Sequence, residues 1–327
     1  MKRTLSLALI LVLALGSLAL AQEKVVVYST SFEPLARALF EAFEEDTGIK
    51  VEWVRLSTGE ATARMDAERK NPQASMWYGG VGLGHIEAKA KGLTIPYESP
   101  NAKYIPEQFR DPDHHWTGIF VAALAFVVNT ERLAELGIEA PRTWDDLLKP
   151  EFKGEIQIAN PAASGTAYNV IATLVQMKGE DEAFEYLKKL HQNIQQYTRS
   201  GFAPSQNVAL GEATVAIGYA HDQASLIAEG YPVEIIFPED GTGYMIESIS
   251  LIAGGKDLEN AKKLYDWALT PRAAALYAET NVVPFFDVPL MPGAIPISEI
   301  NTIEQDDEWA AQEKERLIEK WHNEVYR

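Results

Sequence analysis

The 327-residue chain contains no cysteine. Disulfides and thiolate metal sites, structural zinc of the Cys-rich type included, are therefore excluded. A chain of this length buries enough apolar surface to fold without such staples. Catalytic signatures are equally scarce. Neither G-x-S-x-G nor H-E-x-x-H occurs, and "YGGVGLG" lacks both the G-x-G-x-x-G spacing and a Walker lysine. Basic residues are also in deficit: 29 Lys and Arg stand against 47 Asp and Glu. Such an acidic chain is a poor partner for nucleic acid or an anionic membrane surface. A small anion is not excluded, because distant carboxylates are screened over ~8 Å at physiological salt.

What is present begins with the N-terminus. Lys2 and Arg3 precede the apolar run "TLSLALILVLALGSLAL" and the A-x-A site Ala19-Leu20-Ala21. That order predicts a secretory signal peptide over residues 1–21, cleaved after Ala21, and export to the periplasm. Beyond it no run reaches the ~18 apolar residues of a membrane span, and no cysteine offers a lipid anchor. The remaining chain, roughly 305 residues, suits two domains.

Short β-branched runs alternate with amphipathic stretches. "KVVVY" reads as a buried strand and "EPLARALFEAFEEDTG" as a helix stopped by Gly48. "IKVEWVRL", a second helix and "ASMWYGG" continue the pattern expected of a parallel, doubly wound sheet. Two long apolar strands, Phe120 to Val128 and "GYMIESISLIAGG", suit crossings between two such units. The organisation expected is lobe 1 from residues 22–121 and 244–327, and lobe 2 from 122–243.

Five strands end in Ser/Thr/Gly-rich turns that open helices: Ser29-Thr30-Ser31, Ser57-Thr58-Gly59, Gly79-Gly80-Val81-Gly82, Ser164-Gly165-Thr166 and Ser200-Gly201. Free amides, hydroxyls and helix N-termini together suit an anion. The same residues also serve as ordinary helix caps. Of six histidines, only His221 falls at a strand end among polar neighbours, in "IGYAHDQ". Tyr219 and His221 share a strand face while Asp222 points away, so the three converge only where the strand stops. Asp222 also suits the N-cap of the next helix. Glu247, inside the apolar "YMIESIS", is a carboxylate that demands partners. Arg199 in "YTRSG" is the best-placed cation.

Taken together, "VVVYSTSFEPLARALFEAFEEDTGIKVE", "PQASMWYGGVGLGHIEAKAKGL", "TWDDLLKPEFKGEIQIANPAASGTAY" and "LGEATVAIGYAHDQA" resemble the extracellular solute-binding proteins of ABC importers. The class is the one containing the ferric-ion-binding proteins. The resemblance implies an α/β, two-lobed, type II-like binding protein. Each lobe would be a doubly wound sheet with helices on both faces, and a two-strand hinge would join them. It implies a monomer without cofactor or catalysis that delivers its ligand to a membrane permease. Ferric-binding members carry a tandem tyrosine pair, which here is Tyr219-Ala220; the first-loop histidine and the carboxylate after the third strand are also missing. "NPAASGTAY", "QYTRSGFAP", "YAHDQ" and "YMIES" are instead similar to the subgroup that binds phosphorylated sugars. By that resemblance His221, Asp222 and Glu247 bond the sugar of a hexose phosphate such as glucose 6-phosphate. Ser29, Thr30, Thr58, Ser164, Gly165 and Thr166, with Arg199, cradle its phosphate. Tyr78, Gly80 and Tyr219 are cleft-wall candidates. The competing readings are a ferric-iron carrier of the same fold, a carrier of other small anions such as phosphonates or phosphoglycerates, and an exported sugar-phosphate hydrolase.

Overall fold

The structure, a computed structural model, describes residues 23–280, 282–291 and 294–327. The segment read as a signal peptide lies outside them. Strands β1 (Lys24–Ser29), β2 (Lys50–Arg55) and β3 (Met76–Val81) pair in parallel, with β1 in the centre. Successive strand residues point to opposite faces, and both faces are covered. Val25, Val27, Met76 and Tyr78 pack with Leu35, Leu39, Phe40 and Phe43 of the helix Glu33–Thr47. Tyr28 and Trp77 pack on the other side with Ala61, Met65 and Ala88. Gly48 closes the first helix in the left-handed region at φ 74°, its N–H donating to Glu44 O. This is the C′ stop that its sequence position indicates.

The chain continues through β4 (Thr94–Ile95), β5 (Thr117–Asn129), β6 (Ile156–Ala159), β7 (Ile194–Thr198), β8 (Val215–Tyr219), β9 (Val233–Ile236), β10 (Tyr244–Ile252) and β11 (Val283–Pro284). A second parallel trio forms with β6 between β7 and β8. β5 is buried along all 13 residues and belongs to both halves. Its first part pairs antiparallel with β10 and β11, its second with β8 and β9. The sheet order is β2-β1-β3-β10-β5-β8-β6-β7. The sheets are therefore mixed rather than wholly parallel, because β5 and β10 return against the two trios.

The second expected crossing is shorter than its apolar sequence suggests. β10 pairs with β3, β4 and β5 inside the first half. The link to the second half is made just before it, where Leu124 N–H donates to Gly243 O and the Thr242 hydroxyl donates to Leu124 O. The last helix, Asp307–Glu324, buries Ala310, Leu317 and Trp321. Lys314 pairs with Glu87 of the first half, while Arg316 and Lys320 each lie 2.7 Å from Glu180 of the second. It thus braces both halves. Among the described residues no helix is long and apolar enough to cross a membrane.

Candidate functional site

The two halves face each other across a polar cleft at the carboxyl ends of the parallel strands, where ligands of open α/β sheets lie. Thr30, Thr58, Gly80, Ser164, Gly165, Thr166, Tyr219, His221, Asp222 and Glu247 all line it. The turns singled out in the sequence are thus brought together. About 40 Å³ remains open at its centre, room for roughly three waters. The halves therefore stand closer than a hexose-sized ligand permits, and entry requires them to part. Phe32 and Phe202 meet edge to face across it, ring centroids 4.8 Å apart. A Cβ on Gly165 would lie 3.0 Å from Thr58 Oγ1 and 3.2 Å from Val81 Cγ2, so only a glycine fits this approach without displacement.

One group of cleft residues offers donors. The helix Thr58–Ala67 starts from Ser57, whose side chain accepts from Glu60 N–H while Glu60 accepts from Ser57 N–H. The helix Gly165–Lys178 starts from Ser164, which makes no side-chain cap bond. First-turn amides of both helices lack intrahelical acceptors. Together with the hydroxyls of Thr58, Ser164 and Thr166 they make a donor-rich surface whose chemistry suits an anion. Thr30 lines the cleft but its hydroxyl is already engaged: it donates to Gly79 O at 2.6 Å and accepts from Trp77 Nε1 at 2.9 Å. His85 Nε2 also donates to Gly79 O, at 3.0 Å, and its Nδ1 accepts from the Ser250 hydroxyl at 2.7 Å. Burial pushes this imidazole down to about 3, so it stays neutral and serves the turn's geometry. Ser29 lies outside the cleft lining, fully buried at the end of β1.

A second group of cleft residues carries acceptors. Glu247 is 3% exposed on β10. Ser31 donates its hydroxyl to Glu247 Oε1 at 2.6 Å, and Gly80 N–H donates to the same carboxylate. Burial raises the carboxyl above its ordinary value, against the pull of the His221 imidazole and these two donors. β8 ends at Tyr219 and the next helix, Ala220–Ala228, starts at once. That abrupt ending brings His221 and Asp222 to one place, His221 Nε2 lying 3.3 Å from Asp222 Oδ1. His221 Nδ1 has no partner among the described residues. The N-cap is Tyr219 rather than Asp222, which sits in the first helical turn. The expected capping role is thereby replaced by a position facing the cleft. The Tyr219 hydroxyl accepts from Asn169 Nδ2 at 2.9 Å, and burial drives its pKa well upward.

Besides Ser29, two further expected positions fall outside. Tyr78 lies in the core against Phe40 and its hydroxyl bonds that of Tyr277. Strand alternation sends it to the helix-covered face. The Arg199 side chain is 87% exposed and pairs with Glu60 Oε1 at 2.6 Å. Its loop carries it past the cleft to the opposite half. Sequence reasoning placed Ser31 only within a candidate turn and missed Phe32 and Arg55; all three line the cleft. Arg55, the last residue of β2, stood directly before a turn already singled out, a signal that could have found it.

The family model described as bacterial extracellular solute-binding protein matches residues 85–307. A Haemophilus influenzae protein is 40% identical over 324 residues, spanning 96% of this chain and 94% of its own length. A candidate 2-aminoethylphosphonate-binding periplasmic protein of Salmonella typhimurium is 29% identical over 288 residues, 84% of this chain and 82% of its own. Among solved structures, the periplasmic binding protein AfuA from Actinobacillus pleuropneumoniae, with exogenous fructose 6-phosphate bound, gives a TM-score of 0.89. Its identity is 38%, covering 94% of this chain and 99% of that one.

Proposed function

The chain belongs to the bacterial extracellular solute-binding proteins, the capture components of ABC importers, and we propose that its solute is a phosphorylated sugar held by closure of the two lobes. A hexose phosphate such as glucose 6-phosphate is the ligand we favour. The observation that carries this reading is the mixed chemistry of the cleft lining: Thr58, Ser164, Gly165 and Thr166 offer donors, and His221, Asp222 and Glu247 offer acceptors. Phosphate takes only donors, whereas sugar hydroxyls donate as well as accept. Each bond to a charged group nets roughly 1.5–3 kcal/mol. A handful therefore reaches the ~8 kcal/mol of a micromolar ligand. The fructose 6-phosphate in the similar structure supports the sugar ester, and the phosphonate-binding relative supports the anion end.

The division of β5 between two half-sheets supports lobes at 22–121 with 244–327 and at 122–243. We read residues 1–21 as the export signal, the released protein as a monomer, and a membrane permease as its partner. Ferric iron is the weaker reading: Tyr219 stands without a second tyrosine, and a ferric ligand needs the ionised phenol that burial opposes. Among the described residues no group of three or more His, Asp or Glu is placed to hold a metal ion.

Calorimetry on metal-free protein tests this against glucose 6-phosphate, fructose 6-phosphate, glucose, inorganic phosphate and ferric citrate. Micromolar or tighter heat with a hexose phosphate is expected. Tight iron binding with a tyrosinate charge-transfer band, and no sugar-phosphate heat, would overturn the reading. Turnover of the sugar phosphate would replace it with a hydrolase.

A further inference from the structure

We propose that Arg55 is the cation that selects a dianionic phosphate in this cleft, an inference that rests on reading the ligand as a phosphate ester. Every other described arginine except the C-terminal Arg327 lies within 4.0 Å of a carboxylate. Arg55 has no such partner among the described residues, in a chain carrying 47 acidic side chains. Its guanidinium donates to Leu56 O through Nη1. That leaves most of the donor fork free.

Position makes this free charge useful. Arg55 is half-buried at the carboxyl end of β2 and lines the cleft beside Thr58 and Phe32. It also lines the groove just outside, with Ser200 and Phe202. It therefore stands at the mouth, where an incoming anion first leaves bulk water. The cleft lining contains no lysine and no second arginine. Asp222 and Glu247 place carboxyl groups in the same lining, and like charges repel a dianion beside them. A phosphate ester fits only if its charged end stays away from them, and Arg55 supplies the opposing pole. A guanidinium also matches phosphate geometrically, with paired N–H donors that an ammonium lacks. Arg199, the cation the sequence favours, cannot act this way while it is paired with Glu60 outside the cleft.

The test is calorimetry with glucose 6-phosphate, inorganic phosphate and 2-aminoethylphosphonate on wild type, Arg55→Gln, Arg55→Lys and Arg37→Gln. Arg37 pairs with Glu33 on the first helix and supplies a control for simple loss of surface charge. Arg55→Gln is expected to weaken every phosphate or phosphonate the wild type binds by about 10–150-fold, the value of a charged hydrogen bond. Arg55→Lys should recover part of that loss, and Arg37→Gln should stay near wild type. The rise in wild-type affinity as phosphate ionises fully through a pH of about 6 should flatten in Arg55→Gln. Unchanged thermal midpoints would show that the variants fold. Arg55→Gln binding glucose 6-phosphate within twofold of wild type, with an unaltered pH profile, overturns the inference. Arg55-dependent binding of inorganic phosphate or phosphonate without sugar selectivity sustains it while removing the sugar reading. A wild type that binds none of the three removes both.

Discussion

Arg199 and Glu60 bond across the cleft, guanidinium Nη2 lying 2.6 Å from Glu60 Oε1. The second oxygen of the same carboxylate accepts from Ser57 N–H at 3.0 Å. One side chain thus caps the helix that presents Thr58 and holds the opposite half. Hydrogen bonding from Ser57 and the Arg199 charge both keep its carboxyl below the usual range. The pair is exposed, so its worth is at most about 1 kcal/mol.

This pair should act as a closure latch. Glu60→Gln preserves the capping box, which accepts Gln as readily as Glu, yet removes the charge. Glucose 6-phosphate is then expected to dissociate up to about fivefold faster, with little change in association. The exchanged pair Glu60→Arg with Arg199→Glu should slow release again, and 1 M salt should erase the differences. Stopped-flow release rates measure this. Equal rates in wild type and Glu60→Gln at low salt would show that the pair holds nothing closed.

Gly80 is the backbone pivot of the acceptor group. Its φ is +87°, and an added Cβ would lie 2.1 Å from Thr30 Oγ1. Left-handed strain of roughly 1 kcal/mol and an overpacking cost of roughly 1–3 kcal/mol therefore combine in Gly80→Ala. Urea denaturation should show a loss of about 2–4 kcal/mol, with ligand affinity falling as Gly80 N–H leaves Glu247. A variant with wild-type stability would mean that the turn relaxes freely.

How far the sequence reveals this site can be judged residue by residue. The strand–turn–helix units are legible because strand propensity, capping residues and Gly48 act within a few positions of one another. Thr58, Ser164, Gly165 and Thr166 reach the cleft for the same local reason. The pairing of Ser31 with Glu247 is not legible, since the two lie 216 positions apart. Arg199 misleads because only the course of its loop decides whether a cation faces inward. Tyr78 misleads by parity: one residue further along, Gly79 and Gly80 bend the backbone, so the face of a strand-end side chain depends on where pairing stops. Asp222 fits a cap in sequence, yet the helix begins at Ala220, three residues earlier than that cap requires.

Asp307, at the start of the bracing helix, is a second carboxyl under strain from burial. Desolvation raises it to about 6, although Gln305 Nε2 donates to it. An aspartate free in the unfolded chain titrates near 3.8, so the folded state holds the proton more tightly than the unfolded one. The associated stability is fully present below about 3.8 and is lost as pH rises through about 6. Asp307→Asn retains the acceptor and removes the titration. Its unfolding free energy from urea denaturation should exceed that of wild type at pH 7.5 by up to about 3 kcal/mol, and the two should converge near pH 4. A constant difference across that range would place the effect elsewhere.

The sugar end and the phosphate end should separate under mutation. Asp222 and Glu247 present oxygen acceptors, and neither can attract a phosphate dianion. Removing either side chain should therefore weaken glucose 6-phosphate by about 10–150-fold, the value of one or two bonds to a charged group. Bare phosphate, held by the turns around Thr58 and Thr166, should lose little in Asp222→Ala and Glu247→Ala. It should even gain slightly from the lost repulsion. Glu247 adds a structural component, because Glu247→Ala also leaves the Ser31 hydroxyl without its acceptor. Glu247→Gln keeps that acceptor and isolates the charge. Discrimination between glucose 6-phosphate and phosphate is consequently expected to fall most in Asp222→Ala and Glu247→Ala and less in Glu247→Gln. Parallel calorimetric titrations of both ligands measure the ratio directly. Equal losses for the two ligands in every variant would mean that these carboxylates shape the lobes and do not read the sugar.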